Sequence, residues 1–467
     1  MARVEVNDPV VVDGHERLPL RRVVAYGAAS IGTAAMAFIN ALYLLKYCTD
    51  VLLIAPGVMG TLFGLSRIWD AVSDPLVGRL SDRTRSAWGR RRVWILSSVP
   101  ATALAYAMLW SPPPALEGTG LAAWIGVGLI AFSTAQTMFY VPYYALGVEL
   151  STDHHERTRI FGIGKLMSGP GLLLGLAVFT LLVRSDSPRE LALPLSLGLA
   201  GVGVLLTVAG IAPLRERPDH QGRGGEGITN AFADVFRNPH ARILLAMYAI
   251  ESFGAATSGL LALYVMQYVV QLPEGYTVGI LLLHLVPSFL LAPLWIPLSR
   301  RFGKRRLWAI STAVAMISWF CHSFLAEGML GFWAVLAFIG GTTSGLGQVL
   351  GLSVKADVID YDELMTGERK EGAYLAVWTF VQKSMGGLLA IVLGFALQWV
   401  GYEPNVPQSA ATQQVILALY GFLPAACFAV GLLLLLRFRL NEAEHAEIRR
   451  QLDARSVGAE PPRAQSP

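Results

Sequence analysis

The stretch GTLFGLSRIWDAVSDPLVG, residues 60–78, sets Arg67, Asp70 and Asp74 among apolar neighbours. The spacing i, i+3, i+7 puts all three on one face of a helix. An ionisable side chain at membrane depth costs roughly 3 kcal/mol or more, so that face must look away from lipid. Two carboxylates one turn apart repel. They call for a shared proton or a cation between them.

The rest of the chain supports a lipid setting. Of 467 residues 54% are hydrophobic and 15% charged, against about 25% charged in a soluble protein. Runs long enough to span a bilayer fall at 23–46, 56–81, 92–110, 121–147, 160–183, 191–213, 242–270, 277–299, 306–326, 329–355, 373–400 and 411–437. Residues 1–20 are polar and mixed in charge, unlike a cleavable signal. Cys48, Cys321 and Cys427 are scattered, which fits neither a metal cluster nor a disulfide framework.

Orientation follows from the basic loops. SDRTRSAWGRRR (81–92), DHHERTR (153–159) and SRRFGKRR (299–306) alternate with TDVLLIAPG, SPPPALEG, QLPEGYT and LAEG, which lack Lys and Arg. The basic loops and both termini are therefore expected in the cytoplasm, with RSDSPRE (184–190) as the one deviant loop. An internal repeat divides the chain. PLVGRLSDRTRSAWGRRRVWILS (75–97) recurs as PLWIPLSRRFGKRRLWAIS (293–311), AYGAASIGTAAM from Ala25 as MYAIESFGAATS from Met247, and GKLMSGPG from Gly164 as QKSMGGLL from Gln382. The expected organisation is a cytoplasmic segment 1–22, a six-helix bundle 23–213, a cytoplasmic linker 214–241, a second bundle 242–438 and a disordered cytoplasmic tail 439–467. Such halves suit an all-α transporter with its site near the bilayer midplane.

Other ionisable residues fall within spans. Lys165 and Lys383 hold matching places in the repeats, each followed by small residues. Lys383 is expected to face the Asp70–Asp74 pair, as a base that compensates it when no cation is bound. The competing use of these charges is a static ion-pair network with Arg67 and Lys383 as fixed partners. Lys165 could equally snorkel to the cytoplasmic edge, and Glu251 could pair, mark a boundary or touch substrate. Tyr26, Tyr140, Tyr143, Tyr144 and Trp378 also lie in spans, with Tyr140 and Tyr144 flanking a break expected at Pro142. No phosphate-binding Gly-Lys-Ser/Thr loop, HExxH or nucleophile elbow occurs, which argues against an enzyme. Adjacent His154 and His155 do not share a helix face and are not expected to bind metal.

GTLFGLSRIWDAVSDPLVG, RTRSAWGRRRVWIL, DVIDYDE and VQK with its small followers resemble the glycoside–pentoside–hexuronide:cation symporters of the major facilitator superfamily, the melibiose permease-like family. The resemblance spans nearly all the chain except the termini and linker. It implies twelve transmembrane helices in two pseudo-symmetric bundles, alternating access, a plasma (inner) membrane location and a monomer without cofactor or nucleic-acid partner. It makes Asp70, Asp74 and Thr137 cation ligands, with Ser73 where sodium-coupled members have Asn, and a coupling ion that is Na+ or H+. Lys383, with Arg67, becomes the coupling group and Lys165 a sugar contact. Tyr26, Trp378 and Thr379 join the implied substrate site. The family's sugar-gripping carboxylates are replaced by Ala34 and Tyr140, its helix-one lysine by Thr33, its stacking aromatic by Tyr144 and its helix-ten tryptophan by Gln348. Asp82, Arg83, Arg91, Arg157, Asp360, Glu363 and Arg369 resemble a cytoplasmic gate; positive-inside topology alone would also account for the basic ones.

The expected activity is cation-coupled symport of a sugar, glycoside or sugar acid. The small residues along TAAMAFINALYLL also resemble sodium-coupled lysolipid symporters, so a lysolipid or other anionic amphiphile is the alternative cargo. A transport-inactive sensor with the same fold is the third reading.

Overall fold

The computed structural model describes residues 10–12, 15–151, 153–214, 216, 228–273, 275–368, 370–440 and 442–458. A hairpin pairs β1 (Val10–Val12) antiparallel with β2 (His15–Arg17). Six long helices follow: α1 (Leu20–Leu42), α2 (Pro56–Arg83), α3 (Arg90–Trp110), α4 (Gly118–Glu149), α5 (His154–Val183) and α6 (Pro188–Ile211). The second series runs through α7 (Ile228–Arg237), α8 (Pro239–Val270), α9 (Gly275–Leu290), α10 (Ala292–Phe302), α11 (Lys304–His322), α12 (Leu330–Thr366), α13 (Glu371–Trp399), α14 (Ala410–Arg437) and α15 (Glu442–Gly458).

Every expected span is occupied by helix, with α9 and α10 sharing the one at 277–299. Among the described residues nine helices are long and apolar enough to cross a membrane, and the bent pair within α9 and α10 makes a tenth. Helices α2 and α11 fall outside that set; α2 carries its charged face and α11 opens on Lys304, Arg305 and Arg306. Local chemistry sets several ends. Pro56 occupies the first turn of α2. The Asp153 carboxylate accepts from Glu156 N at 2.9 Å to start α5, and Asn238 accepts from His240 N at 3.0 Å to start α8.

Two expectations change. Pro142 does not break α4, which runs continuously from Gly118 to Glu149; packed neighbours can satisfy the carbonyl a proline frees. Within the tail expected to be disordered, Glu442–Gly458 is a helix. Its Ile448 is buried, and its Arg455 donates to Leu364 O at 2.6 Å.

The described residues form two compact units, one drawn from 1–225 and 386–412, the other from 226–385 and 413–467. The C-terminal part of α13 thus packs with α1–α6, a grouping that differs from the 242–438 bundle expected from sequence. Small residues are the physical reason. A Cβ at Gly60 would sit 2.3 Å from Ala390 O, and one at Gly394 would sit 2.4 Å from Pro56 O. The loop after α13 is held too, since the Tyr402 hydroxyl donates to Asp50 Oδ1 at 2.6 Å and the Asn405 amide to Asp50 O at 2.7 Å.

Each unit carries the same device where its third long helix begins. Gly89, at φ 99°, turns the chain so that Arg90, Arg91 and Arg92 N all donate to the Glu216 carboxylate, at 2.8, 2.9 and 2.7 Å. Gly303, at φ 84°, does the same for α11, whose Lys304 N donates to Glu442 at 2.6 Å. Positive φ suits glycine, and a carboxylate at a helix N-terminus satisfies orphan N–H groups and the dipole. The correspondence supports the repeat, yet neither glutamate stands out in sequence.

Candidate functional site

In the first unit, α2 and α4 bring the side chains of Ser73, Asp74 and Thr137 together, with Asp70 one turn earlier on α2. Asp70 and Ser73 are buried and Asp74 is half-buried. The Thr137 hydroxyl donates to Asp74 Oδ1 at 2.9 Å, Ser73 Oγ lies 3.2 Å from Thr137 Oγ1, and Ser73 Oγ donates to Asp70 O at 3.3 Å. Arg67 Nη1 reaches Asp70 Oδ2 at 3.4 Å, a long contact for an ion pair. Trp69 Nε1 donates to Thr134 Oγ1 at 2.8 Å and pins α2 to α4 just above. One carboxylate and two hydroxyls meet at this helix crossing, with the Asp70 carboxylate one turn away on α2; oxygen donors of this kind are the set a hard cation prefers.

Of the residues that resemble a gate, Asp82, Arg91 and Asp360 lie in two within-unit clusters. In the first, Arg91 pairs with Asp82, reaches Glu149 at 3.3 Å and donates to Ser81 Oγ at 2.6 Å, while Arg90 pairs with Glu149 at 2.7 Å. Arg83 is exposed, and Arg157 Nε donates to Ser151 O at 2.8 Å. In the second, Lys304 pairs with Asp357 at 2.8 Å, and Asp360 meets His445 at 2.9 Å and Arg449 at 3.5 Å. Glu363 is half-buried in α12 and Arg369 lies outside the described residues. The parts played by Asp357, Lys304 and His445 were not legible in sequence, because His445 belongs to the helix expected to be disordered.

The residues implied for substrate belong to both units. Tyr26 is fully buried and stacked on Tyr143 at 4.3 Å, each hydroxyl donating to the other's carbonyl. Thr33 is buried, donating to Ser30 O, and Ala34 packs toward Gly171. Tyr140 and Tyr144 stack at 5.9 Å, with Tyr144 exposed. Lys165 is exposed on α5. In the second unit Trp378 is buried against Tyr374, Thr379 is exposed and Lys383 is half-buried.

The second unit also holds a cavity of about 660 Å³, within the size range of small-molecule sites. Gln348 lines it, as do Glu251, His284, Gln382 and Lys355. Lys355 passed unnoticed in sequence because it stands at the end of the expected span 329–355, where a lysine reads as an edge residue.

The MFS/sugar transport protein family matches residues 25–442. The chain is 26% identical to the uncharacterized symporter YjmB of Bacillus subtilis, with 97% of this chain and 100% of that one covered. It is 27% identical to a putative sulfoquinovose importer of Salmonella typhimurium, covering 95% and 93%. It is 25% identical to the sodium-dependent lysophosphatidylcholine symporter 1-A of Danio rerio, covering 88% and 84%. The solved nucleoside transporter NupG shares the fold at TM-score 0.65 and 12% identity, covering 90% of this chain and all of that one. With its membrane-length helices, its internal repeat and a match across nearly its whole length, the chain belongs to the MFS/sugar transport protein family: it is an integral membrane transporter and not an enzyme.

Proposed function

We propose that the protein is a Na+-coupled symporter of a small hydroxylated solute. The observation that carries this is the contact of Ser73 and Asp74 on α2 with Thr137 on α4, with Asp70 one turn along α2. An unneutralised carboxylate pair is costly there, and a bound cation removes the cost while gaining oxygen ligands. Arg67 partly neutralises Asp70 in its absence. The named symporters among the relatives support coupling, and a sodium-dependent one supports the ion. Coupling is reciprocal: whatever cation binding does to solute affinity, solute does to cation affinity. Lys383 is assigned the part of linking the two, both termini face the cytoplasm, and the Asp82–Arg91 and Asp360 clusters belong to the cytoplasmic gate.

The test needs no knowledge of the solute. The purified protein is melted in increasing NaCl at constant ionic strength, with choline chloride as balance. A ligand that binds only the folded state stabilises it by mass action. The native protein is expected to gain stability with Na+, and Asp70→Asn to melt cooperatively without that gain. Equal Na+ response in native and variant protein overturns the site. No Na+ response, with stability instead following pH through Asp70, overturns Na+ in favour of H+.

A further inference from the structure

Where α11 begins and α14 ends, the second unit gathers arginines that no carboxylate answers. Arg305 Nη2 donates to Leu436 O at 2.6 Å, which holds the first turn of α11 within one side chain's reach of the last turn of α14. The bond takes one of the guanidinium's five N–H donors, and the partial negative charge of a helix C-terminus favours it. Arg306 and Arg437, the next residue in each helix, are exposed. Among the described residues none of these three arginines makes an ion pair. The carboxylate at this helix start, Glu442, accepts instead from Lys304 N at 2.6 Å.

Each exposed arginine heads an apolar stripe. Arg306, Ile310, Val314 and Ile317 fall at i, i+4, i+8 and i+11 on α11, which is one helix face, and the three apolar side chains are exposed. Val430, Leu433 and Arg437 repeat the pattern on α14 at i, i+3 and i+7, again with both apolar side chains exposed. In a membrane transporter such faces meet acyl chains, and a stripe that ends in a guanidinium ends at headgroup depth. Phosphate oxygens accept paired N–H groups from arginine. The first unit separates packing from recognition. There Arg92 donates to Ala212 O at the end of α6, but Pro213 follows where the second unit has Arg437. The arginine-to-carbonyl bond therefore recurs as a packing contact, whereas Arg437 adds a charge that the packing does not use.

We propose that this end of the α11–α14 pair binds an anionic phospholipid, its phosphate on Arg305, Arg306 and Arg437 and its acyl chains along the two stripes. Charge complementarity selects the lipid: a zwitterionic headgroup brings its own cation to a cluster that already holds three, and like charges repel. The site is independent of the coupling ion and of the solute. The orientation proposed above decides only that the cytoplasmic leaflet supplies the lipid.

The test is native mass spectrometry of the full-length purified protein in detergent, titrated separately with dioleoylphosphatidylglycerol and dioleoylphosphatidylcholine. The anionic lipid is expected to bind about fivefold or more tighter than the zwitterionic one. A basic residue near an anionic headgroup contributes enough that Arg306→Met and Arg437→Met should each weaken the anionic lipid about fivefold and leave the zwitterionic one unchanged. Neither side chain makes a hydrogen bond or ion pair among the described residues, so both variants should melt cooperatively near the native temperature. Arg437→Lys, which keeps the charge, should retain most of the preference. Arg85→Met removes one exposed charge from the first unit and should change nothing. No preference for the anionic lipid in the native protein overturns the proposal. So does a preference that survives both methionine variants, or one that Arg85→Met lowers equally, which marks net charge rather than a site. Soluble glycerol 3-phosphate should compete about tenfold or more weakly than the lipid; equal competition overturns the part assigned to the apolar stripes.

Discussion

Thr137 on α4 donates its hydroxyl to Asp74 on α2 at 2.9 Å, with Ser73 closing the triangle at 3.2 Å from Thr137. One contact thus ties helix packing to the candidate cation site. Thr137→Val keeps the shape and removes the oxygen. The expected result is a loss of about 1 kcal/mol of cation binding, read as roughly fivefold more Na+ for half-maximal stabilisation. Thr137→Ser should recover most of it. An unchanged Na+ requirement in the valine variant would show that Thr137 only packs.

Arg67 separates a compensating charge from a fixed strut. Its 3.4 Å approach to Asp70 and its partial exposure describe a partner that a cation can displace. Arg67→Met removes a like charge competing with Na+, so about threefold less Na+ should suffice for half-maximal stabilisation. A large fall in melting temperature with no change in Na+ requirement would identify a structural ion pair.

The α2–α13 contact tolerates no side chain at Gly60, where a Cβ would fall 2.3 Å from Ala390 O and 2.9 Å from Gly394 Cα. Gly60→Val should cost more than about 2 kcal/mol through overpacking, seen as a lowered melting temperature. Gly169→Ala, where nothing lies within 4 Å of the added methyl, should leave it nearly unchanged. Equal melting of the two would remove the close approach as the reason 386–412 joins the first unit.

Glu216 receives three N–H groups of α3, and Glu442 receives one of α11. Removing a helix cap costs about 1 kcal/mol, and charge-assisted bonds are the stronger kind. Glu216→Ala should therefore destabilise by about 2 kcal/mol and Glu442→Ala by about half as much, in thermal unfolding. The reverse order would mean that the repeated contacts do not carry the caps' stability.

The hydropathy and spacing of residues 60–78 already dictated a helix with one charged inward face, and that face is where Ser73, Asp74 and Thr137 meet. Pro142 misled, because a proline reads locally as a break while α4 continues through it from Gly118 to Glu149. Tyr26 and Trp378, both implied as substrate contacts, are buried against Tyr143 and Tyr374. An aromatic residue's apolar character says that it is covered, without saying by what.

The sequence by itself determined the membrane-spanning class, the order and approximate ends of the helices, the twofold repeat and the placing of Arg67, Asp70 and Asp74 on one face. These depend on composition and on a period of 3.6 residues, which act over one or two turns. The resemblance already grouped Thr137 with Asp74; only the tertiary structure decided that the Thr137 hydroxyl donates to Asp74, that 386–412 packs on the glycines of α2, that Glu216 and Glu442 cap matching helices, and that Lys355 is seated on Tyr248 beside a cavity lined by Glu251. Each of these joins residues tens to hundreds apart in the chain. Such pairings depend on which helix faces fit together, and that is a property of packing rather than of any local stretch.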